Sequence, residues 1–233
     1  MASERSFPDR VQKSAELKAA VLLLVPTYAP ADSKFAVSAL TTAITASTSG
    51  NATVESLRIP YQDLVDDREA LLKTLGPLVT QALNYVKSNT AWAKRYDAIK
   101  RAADKARGVS YKKKKNVDPD PDAKVRQSGE RSYVEIANYF KIFVDRLMAL
   151  GGYLPPDTKI TTTALYAQHT LLAGMNTSMP GLEEALADAI SDRYETFFNA
   201  TGLKFVFDGV KSAVKGQYGV SSPQYGMVKG IKW

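Results

Sequence analysis

The sequence predicts an all-α protein built from two tandem four-helix units that are related by internal duplication. The 233-residue chain aligns with itself at an offset of 125, where 13 of the 51 positions from 28 to 78 are identical. Composition alone would give only about three such identities. Apolar residues also recur at helical spacings, and no segment combines β-branched enrichment with two-residue alternation. We therefore expect two helical units packed with pseudo-two-fold symmetry.

The identical positions are distributed over the whole aligned segment. In the first copy they are Tyr28, Pro30, Asp32, Lys34, Ala39, Leu40, Thr45, Asn51, Leu57, Asp63, Asp67, Arg68 and Leu78. In the second copy they are Tyr153, Pro155, Asp157, Lys159, Ala164, Leu165, Thr170, Asn176, Leu182, Asp188, Asp192, Arg193 and Leu203. The helix-breaking pairs Gly76-Pro77 and Thr201-Gly202 also coincide, so a helix is expected to stop or kink there in each copy.

The first repeat, residues 9–88, is predicted to contain four helices. The first covers residues 9 to 25, and the second, residues 32 to 47, follows a turn with Pro30 and Asp32 at its start. A polar turn, Ser47–Asn51, is expected before a third helix that carries Asp63, Asp67 and Arg68. The fourth helix covers residues 77 to 88.

The second repeat, residues 131–216, is predicted to follow the same order. Its first helix carries Ile136, Phe140, Phe143, Leu147 and Leu150 at spacings of three and four. A helix over 157–173, a polar turn at 174–178, a third helix and a fourth over 203–216 complete the repeat. Ile160 and the three threonines after it are the one place where strand propensity argues against a helix.

Three segments lie outside the repeats. Residues 89–108 are predicted to form an extra basic helix with an apolar stripe of Trp92, Tyr96 and Ile99. Residues 109–130, rich in Lys, Asp and Pro, are expected to form an exposed linker. Residues 217–233 are expected to dock on the bundle as a C-terminal tail, since Pro223 ends any preceding helix.

Positive charge is concentrated in one segment of the chain. The net charge is +7, yet residues 94–115 alone carry +8 and all other residues together −1. The basic residues are Lys94, Arg95, Lys100, Arg101, Lys105, Arg107, Lys112, Lys113, Lys114 and Lys115, against only Asp97 and Asp104. Such a segment could bind nucleic acid or another polyanion, with bases stacking on Trp92, Tyr96 or Tyr111. The competing interpretation, which we favour, is a solvated helix face and a charged linker whose aromatic rings pack in the core.

A second set of charged residues occurs once in each repeat. Asp63 and Asp67, like Asp188 and Asp192, are four residues apart on one helix face and could ligate a hard metal ion in a hydrolase. The alternative is a structural ion-pair set of Asp32, Asp67 and Arg68 with its copy Asp157, Asp192 and Arg193. We favour this alternative, because duplication copies structural elements, whereas chemistry needs one cleft.

Composition excludes several classes of function. The chain has no Cys and one His, His169, so thiol nucleophiles and Cys-type zinc sites are excluded and His-relay hydrolysis lacks its usual parts. His169 aligns with Ile44, and we assign it no role. The longest apolar run, Ala19–Val25, has seven residues, whereas a membrane-spanning helix needs about 20. We expect a cytoplasmic protein that does not contact a membrane and has no cofactor and no metal.

The C-terminal residues resemble the closing motif of a group of uncharacterised bacterial proteins. The resemblance rests on Ser222, Pro223, Gln224 and Tyr225, followed by Val228, Gly230, Ile231 and Lys232, and on the duplicated helical layout. It implies a bacterial, cytoplasmic, all-helical protein and carries over no catalytic residue. The favoured interpretation of the sequence is therefore a non-enzymatic scaffold that binds another protein or itself, with nucleic-acid or polyanion binding through residues 94–115 as the alternative.

Overall fold

The computed structural model of the chain describes residues 6–108 and 132–233, and every regular element in these two ranges is helical. The α-helices are α1 Ser6–Leu22, α2 Val37–Ser88, α3 Ala93–Ala106, α4 Tyr133–Met148, α5 Thr162–Phe198, α6 Leu203–Tyr218 and α7 Pro223–Lys229. Short 3₁₀ turns, Ser33–Phe35, Thr90–Trp92 and Thr158–Ile160, precede α2, α3 and α5. The all-α prediction is confirmed, and Ile160 lies in a 3₁₀ turn. The expected linker over 109–130 lies outside the described residues.

The polar turns predicted at 47–51 and 174–178 are wrong, because α2 and α5 run through both places. Threonine hydroxyls in α2 donate to carbonyls four residues earlier, as Thr45 does to Thr41 and Thr48 to Ile44. Ser47 is fully buried and donates to the carbonyl of Thr196. The helix therefore satisfies these polar side chains internally or against a neighbouring helix, and the sequence pattern does not require a turn.

A helix was expected to stop or kink at both break positions: α2 does not stop at Gly76-Pro77, whereas a helix does end before Thr201-Gly202. α2 continues through Pro77, and Leu75 and Val79 on either side of it are buried in one core. At Gly202 a β-carbon would lie 2.9 Å from the carbonyl carbon of Phe197, so the close turn between α5 and α6 requires glycine. The prediction of four helices per repeat is consequently wrong, since α2 alone covers three of those expected in the first repeat.

The chain divides into two compact units that do not follow the predicted repeats. The first unit combines Met1–Tyr61 with Leu182–Trp233, and the second is Gln62–Gly181. The boundaries fall inside α2 and α5, so each unit contains part of residues 9–88 and part of 131–216.

Each unit has its own apolar core. In the first unit, the fully buried side chains of largest volume come from α1, α2, α5 and α6 and include Leu17, Leu40, Phe197 and Phe207. The C-terminal tail contributes Val228, which is fully buried in this core. Its partly buried side chains Tyr225, Ile231 and Trp233 pack against the core. In the second unit, the core includes Ile99 of α3, Phe140, Phe143 and Leu147 of α4, and Leu165 of α5.

Local structure recurs at positions 125 apart. The hydroxyl of Tyr28 donates to the carbonyl of Phe35 at 3.0 Å, and that of Tyr153 donates to the carbonyl of Ile160 at 2.9 Å. Both tyrosines are buried, and burial raises the pKa of each phenol, that of Tyr28 to about 12. Helices α2 and α5 begin at Val37 and Thr162, which are also 125 positions apart.

Candidate functional site

The aromatic residues of the basic helix lie in the protein interior. Trp92 is 7% exposed and its indole nitrogen donates to the carbonyl of Gly151 at 3.3 Å. Its ring lies beside those of Tyr85 and Tyr153, and Tyr96 packs partly buried against the same core. Neither Trp92 nor Tyr96 is therefore placed as an open stacking platform for nucleic-acid bases, and Tyr111 lies outside the described residues.

The basic side chains of this helix fall into two groups. Three of them contact the protein itself: Arg95 donates to the carbonyl of Ala149 at 2.6 Å, Arg107 bonds to Thr80 and Asp104, and Lys105 lies 4.7 Å from the ring of Tyr139. Lys94, Lys100 and Arg101 are exposed. The four lysines Lys112, Lys113, Lys114 and Lys115 lie outside the described residues.

The two repeated arginines each cover an aromatic ring at the start of a neighbouring helix. The guanidinium of Arg68 lies 3.7 Å from the ring centroid of Tyr133 in α4. That of Arg193, which is buried, lies 4.2 Å from the ring centroid of Phe7 in α1. These are cation–π contacts. Each arginine thus joins its own helix to the first turns of α4 or α1.

The aspartates of the predicted ion-pair set have other roles. Asp32 and Asp157 accept hydrogen bonds from the backbone N–H groups of Lys34 and Lys159, each at 2.9 Å, and cap the 3₁₀ turns. The backbone bond from Lys159, followed by a side-chain bond from Gln81, lowers the pKa of Asp157.

Asp67 and Asp192 are exposed. Arg68 is half-buried and Arg193 is buried, so each arginine lies deeper in its unit than the exposed aspartate that precedes it in sequence. The predicted residues therefore share equivalent places in the fold, and the ion-pair set of Asp32, Asp67 and Arg68 with its copy Asp157, Asp192 and Arg193 stays a prediction.

The acidic pairs considered as metal ligands lie on helix surfaces. Asp63 and Asp67 are exposed on α2, and Asp188 and Asp192 on α5. In the part of the chain that the structure describes, no group of three or more His, Asp or Glu side chains converges as a metal site would require. His169 is half-buried beside the ring of Tyr166, and burial lowers its pKa.

An exposed apolar loop begins at Leu22, the last residue of α1, and was not predicted from the sequence. We define the apolar loop as Leu22–Val25. Leu22 is 63%, Leu23 70% and Val25 76% exposed, whereas Leu24 between them is buried. The sequence placed these residues inside a helix over 9–25, but α1 ends at Leu22. The run of apolar residues was the available signal, and only the helix end decides which of them face solvent.

Side chains from the C-terminal part of the first unit bind the end of this loop, at Val25, and the segment of residues 26–29 that follows it. Gln224 donates to the carbonyl of Val25 at 2.7 Å, and the hydroxyl of Tyr218 donates to the carbonyl of Pro26. Gln217 donates to the carbonyl of Thr27 at 3.1 Å and accepts from the N–H of Ala29 at 2.9 Å. These four bonds fix the backbone from 25 to 29 while leaving the apolar side chains exposed.

Comparison of the chain with protein-family models, with curated proteins and with solved structures found no match. Among the described helices, none is both long enough and apolar enough to cross a membrane.

Proposed function

We propose that this protein is a non-enzymatic helical interaction protein that binds another protein, or a second copy of itself, through the apolar loop. The observation that carries the proposal is the exposure of Leu22, Leu23 and Val25 on an ordered backbone: the N–H of Leu23 donates to the carbonyl of Ala20, and the carbonyl of Val25 accepts from Gln224. Single exposed apolar residues are ordinary, but several adjacent ones on a fixed segment are typical of contact surfaces.

The physical basis is the removal of apolar surface from water. Burial stabilises a complex by about 25 cal/mol per Å² of apolar area. Ordering a mobile segment on binding would offset part of this gain, at about 0.5–1.5 kcal/mol for each flexible side chain that becomes fixed. Backbone bonds from Leu23 to Ala20 and from Leu24 to Val21, and the bond from Gln224 to Val25, already order the backbone of the apolar loop, so binding fixes few additional backbone groups.

Internal duplication is part of the same proposal, and a pair of surface pockets supports it. Six positions lining a pocket in the first unit are offset by 125 from positions lining a pocket in the second. In the first pocket they are Lys34, Ala39, Ala43, Thr196, Asn199 and Gly202. The positions aligned with them in the second pocket are Lys159, Ala164, Gln168, Leu71, Thr74 and Pro77, in that order. Each pocket takes residues from both predicted repeats. The bacterial, cytoplasmic group that the C-terminal motif resembles belongs to this proposal as well.

Polyanion binding through residues 94–115 is the less favoured function. Its support among the described residues is the exposure of Lys94, Lys100 and Arg101 on α3. Burial of Trp92 and the engagement of Arg95 and Arg107 with the protein leave the segment fewer groups for phosphate and base contacts.

Sedimentation velocity on three forms of the chain tests the loop as a contact surface. The forms are the wild type, the Leu23→Ser/Val25→Ser variant, and Leu171→Ser, which changes a 53% exposed residue on α5 as a matched control. We expect the wild type and the control to self-associate at tens of micromolar or to retain the same partner on affinity capture. The loop variant should lose that association. Equal behaviour of all three forms would contradict the proposal.

A further inference from the structure

A second surface feature, on α3 and α4 of the second unit, has the composition of an anion site. It is a pocket of about 340 Å³, a volume in the range of small-ligand sites. Its lining consists of Ala98, Arg101, Ala102, Lys105, Tyr139, Ile142 and Arg146. We call this feature the cationic pocket, because three of its described lining residues are basic and none is acidic.

The two acidic residues nearest in sequence to these cations bond to other residues. Asp104, which is buried, forms a salt bridge with Arg107. Asp145 forms one with Lys141 at 2.8 Å, and this carboxylate raises the pKa of Lys141. Neither aspartate is among the residues that line the pocket.

The three cations are placed by the packing of α3 on α4. Arg146 donates from its guanidinium to the carbonyl of Ala98, which directs the head group towards α3. Lys105 lies over the ring of Tyr139 on α4. Arg101 precedes Lys105 by four residues on α3 and so lies on the same helix face. Ala98 and Ala102 are small, and they leave the space between these longer side chains open.

An anion bound between these three positive charges would be attracted to each of them, and the attraction grows with the charge of the anion. Two of the three are arginines, whose planar guanidinium groups match two oxygens of a phosphate. Tyr139 and Ile142 provide an apolar wall for an organic group. We propose that the cationic pocket binds a small phosphorylated molecule carrying two or more negative charges. The inference is independent of the proposed function, which rests on the first unit.

Isothermal titration calorimetry with inorganic pyrophosphate at low ionic strength tests this site. The informative variant is Arg101→Gln, and the matched control is Lys100→Gln, an adjacent exposed residue on α3 that does not line the pocket. Both variants lose one positive charge. We expect wild type and Lys100→Gln to bind alike and Arg101→Gln to bind at least about tenfold more weakly, as for a lost charge-assisted hydrogen bond.

Two further measurements decide among the other outcomes. Arg146→Gln should also weaken pyrophosphate binding, with far-UV circular dichroism confirming that the variant remains folded. A single-stranded oligonucleotide is titrated alongside pyrophosphate. The proposed binding site would be overturned if Lys100→Gln and Arg101→Gln weakened binding equally, or if the oligonucleotide bound and pyrophosphate did not. Either result would indicate diffuse attraction of anions to the basic helix. Absence of pyrophosphate binding to the wild type would overturn it outright.

Discussion

Replacing Gly209 of α6 by alanine sets two physical effects against each other. By helix propensity alone, replacing Gly by Ala inside a helix stabilises the folded state by about 1 kcal/mol. In this protein, however, a β-carbon at position 209 would lie 2.0 Å from one ring atom of Phe35 and 2.2 Å from another. The ring of Phe35 also lies 5.4 Å from that of Phe205. The ring of Phe35 therefore packs directly against the backbone of Gly209, which has no side chain.

The magnitude follows from these distances. Non-bonded carbon atoms prefer separations of about 3.5–4.0 Å, so the ring must move away by roughly 1.5 Å. The helix itself is held by the fully buried Val210 and the almost fully buried Phe207, which leaves Phe35 to move. Overpacking of this kind costs about 1–3 kcal/mol, and the gain in helix propensity offsets about 1 kcal/mol. We expect a net loss of about 1 kcal/mol, or a Tm lower by about 2–4 °C.

Thermal denaturation followed by circular dichroism measures this loss, with Gly216→Ala as the control. Gly216 is also in α6, but a β-carbon there would meet no atom within 4 Å, so this variant should raise the Tm. In a Phe35→Ala background Gly209→Ala should likewise become stabilising, giving a coupling of about 2 kcal/mol. A higher Tm for Gly209→Ala in the presence of Phe35 would refute the reasoning.

Three other changes test the contacts that recur in the two units. Arg193→Ala should lower stability by about 2 kcal/mol, through loss of the buried contact with Phe7 and of the packing of its stem, and unchanged thermal melting would contradict this. Tyr153→Phe leaves the carbonyl of Ile160 without its buried donor, and chemical denaturation should show a loss of about 1–2 kcal/mol. The pKa of Tyr28 is raised to about 12 in the fold, against about 10 in an unfolded chain, so its contribution is complete below pH of about 10 and is lost as the pH rises towards 12. Thermal melts from pH 9 to 12 should show this loss, and Tyr28→Phe should reduce the slope; identical slopes would argue against it.

Some of the architecture was predictable because local chemistry determines it. The spacing of Phe140, Phe143 and Leu147 predicts α4, and all three are fully buried. Asp32 and Asp157 were expected at helix starts, and they cap the 3₁₀ turns that lead into α2 and α5. These features depend on residues within one or two helical turns of each other, which a sequence displays directly.

The predicted element boundaries were wrong where contacts with a neighbouring helix outweigh the local preference of the residues for a turn. Ser47 and Asn176 belong to polar segments that resemble turns, yet the hydroxyl of Ser47 bonds to Thr196 and the amide of Asn176 donates to the carbonyl of Tyr133 at 3.1 Å. Pro77 lacks the N–H that a helix uses, and α2 nevertheless continues through it between buried apolar residues. Partners distant in sequence supply the stabilisation, so local propensity alone gave the wrong element boundaries.

The candidate sites show the same division. The concentration of charge in residues 94–115 could be counted in the sequence, but Arg146 belongs to α4, and the sequence does not indicate that it shares a pocket with Arg101. Likewise, the apolar run around Leu23 was visible, but the sequence does not show that α1 ends at Leu22 or that Gln224 binds the carbonyl of Val25.

By itself, the sequence determined the all-helical class, the offset of 125 between matching segments and the location of the positive charge, because each depends on residue type and spacing alone. Only the tertiary structure decided that α2 and α5 are continuous, that each compact unit draws on both predicted repeats, and which side chains reach solvent. These outcomes depend on the free energy of contacts between residues far apart in the chain, such as Arg193 with Phe7 and Gly209 with Phe35. A local sequence pattern does not show which distant residues will be in contact.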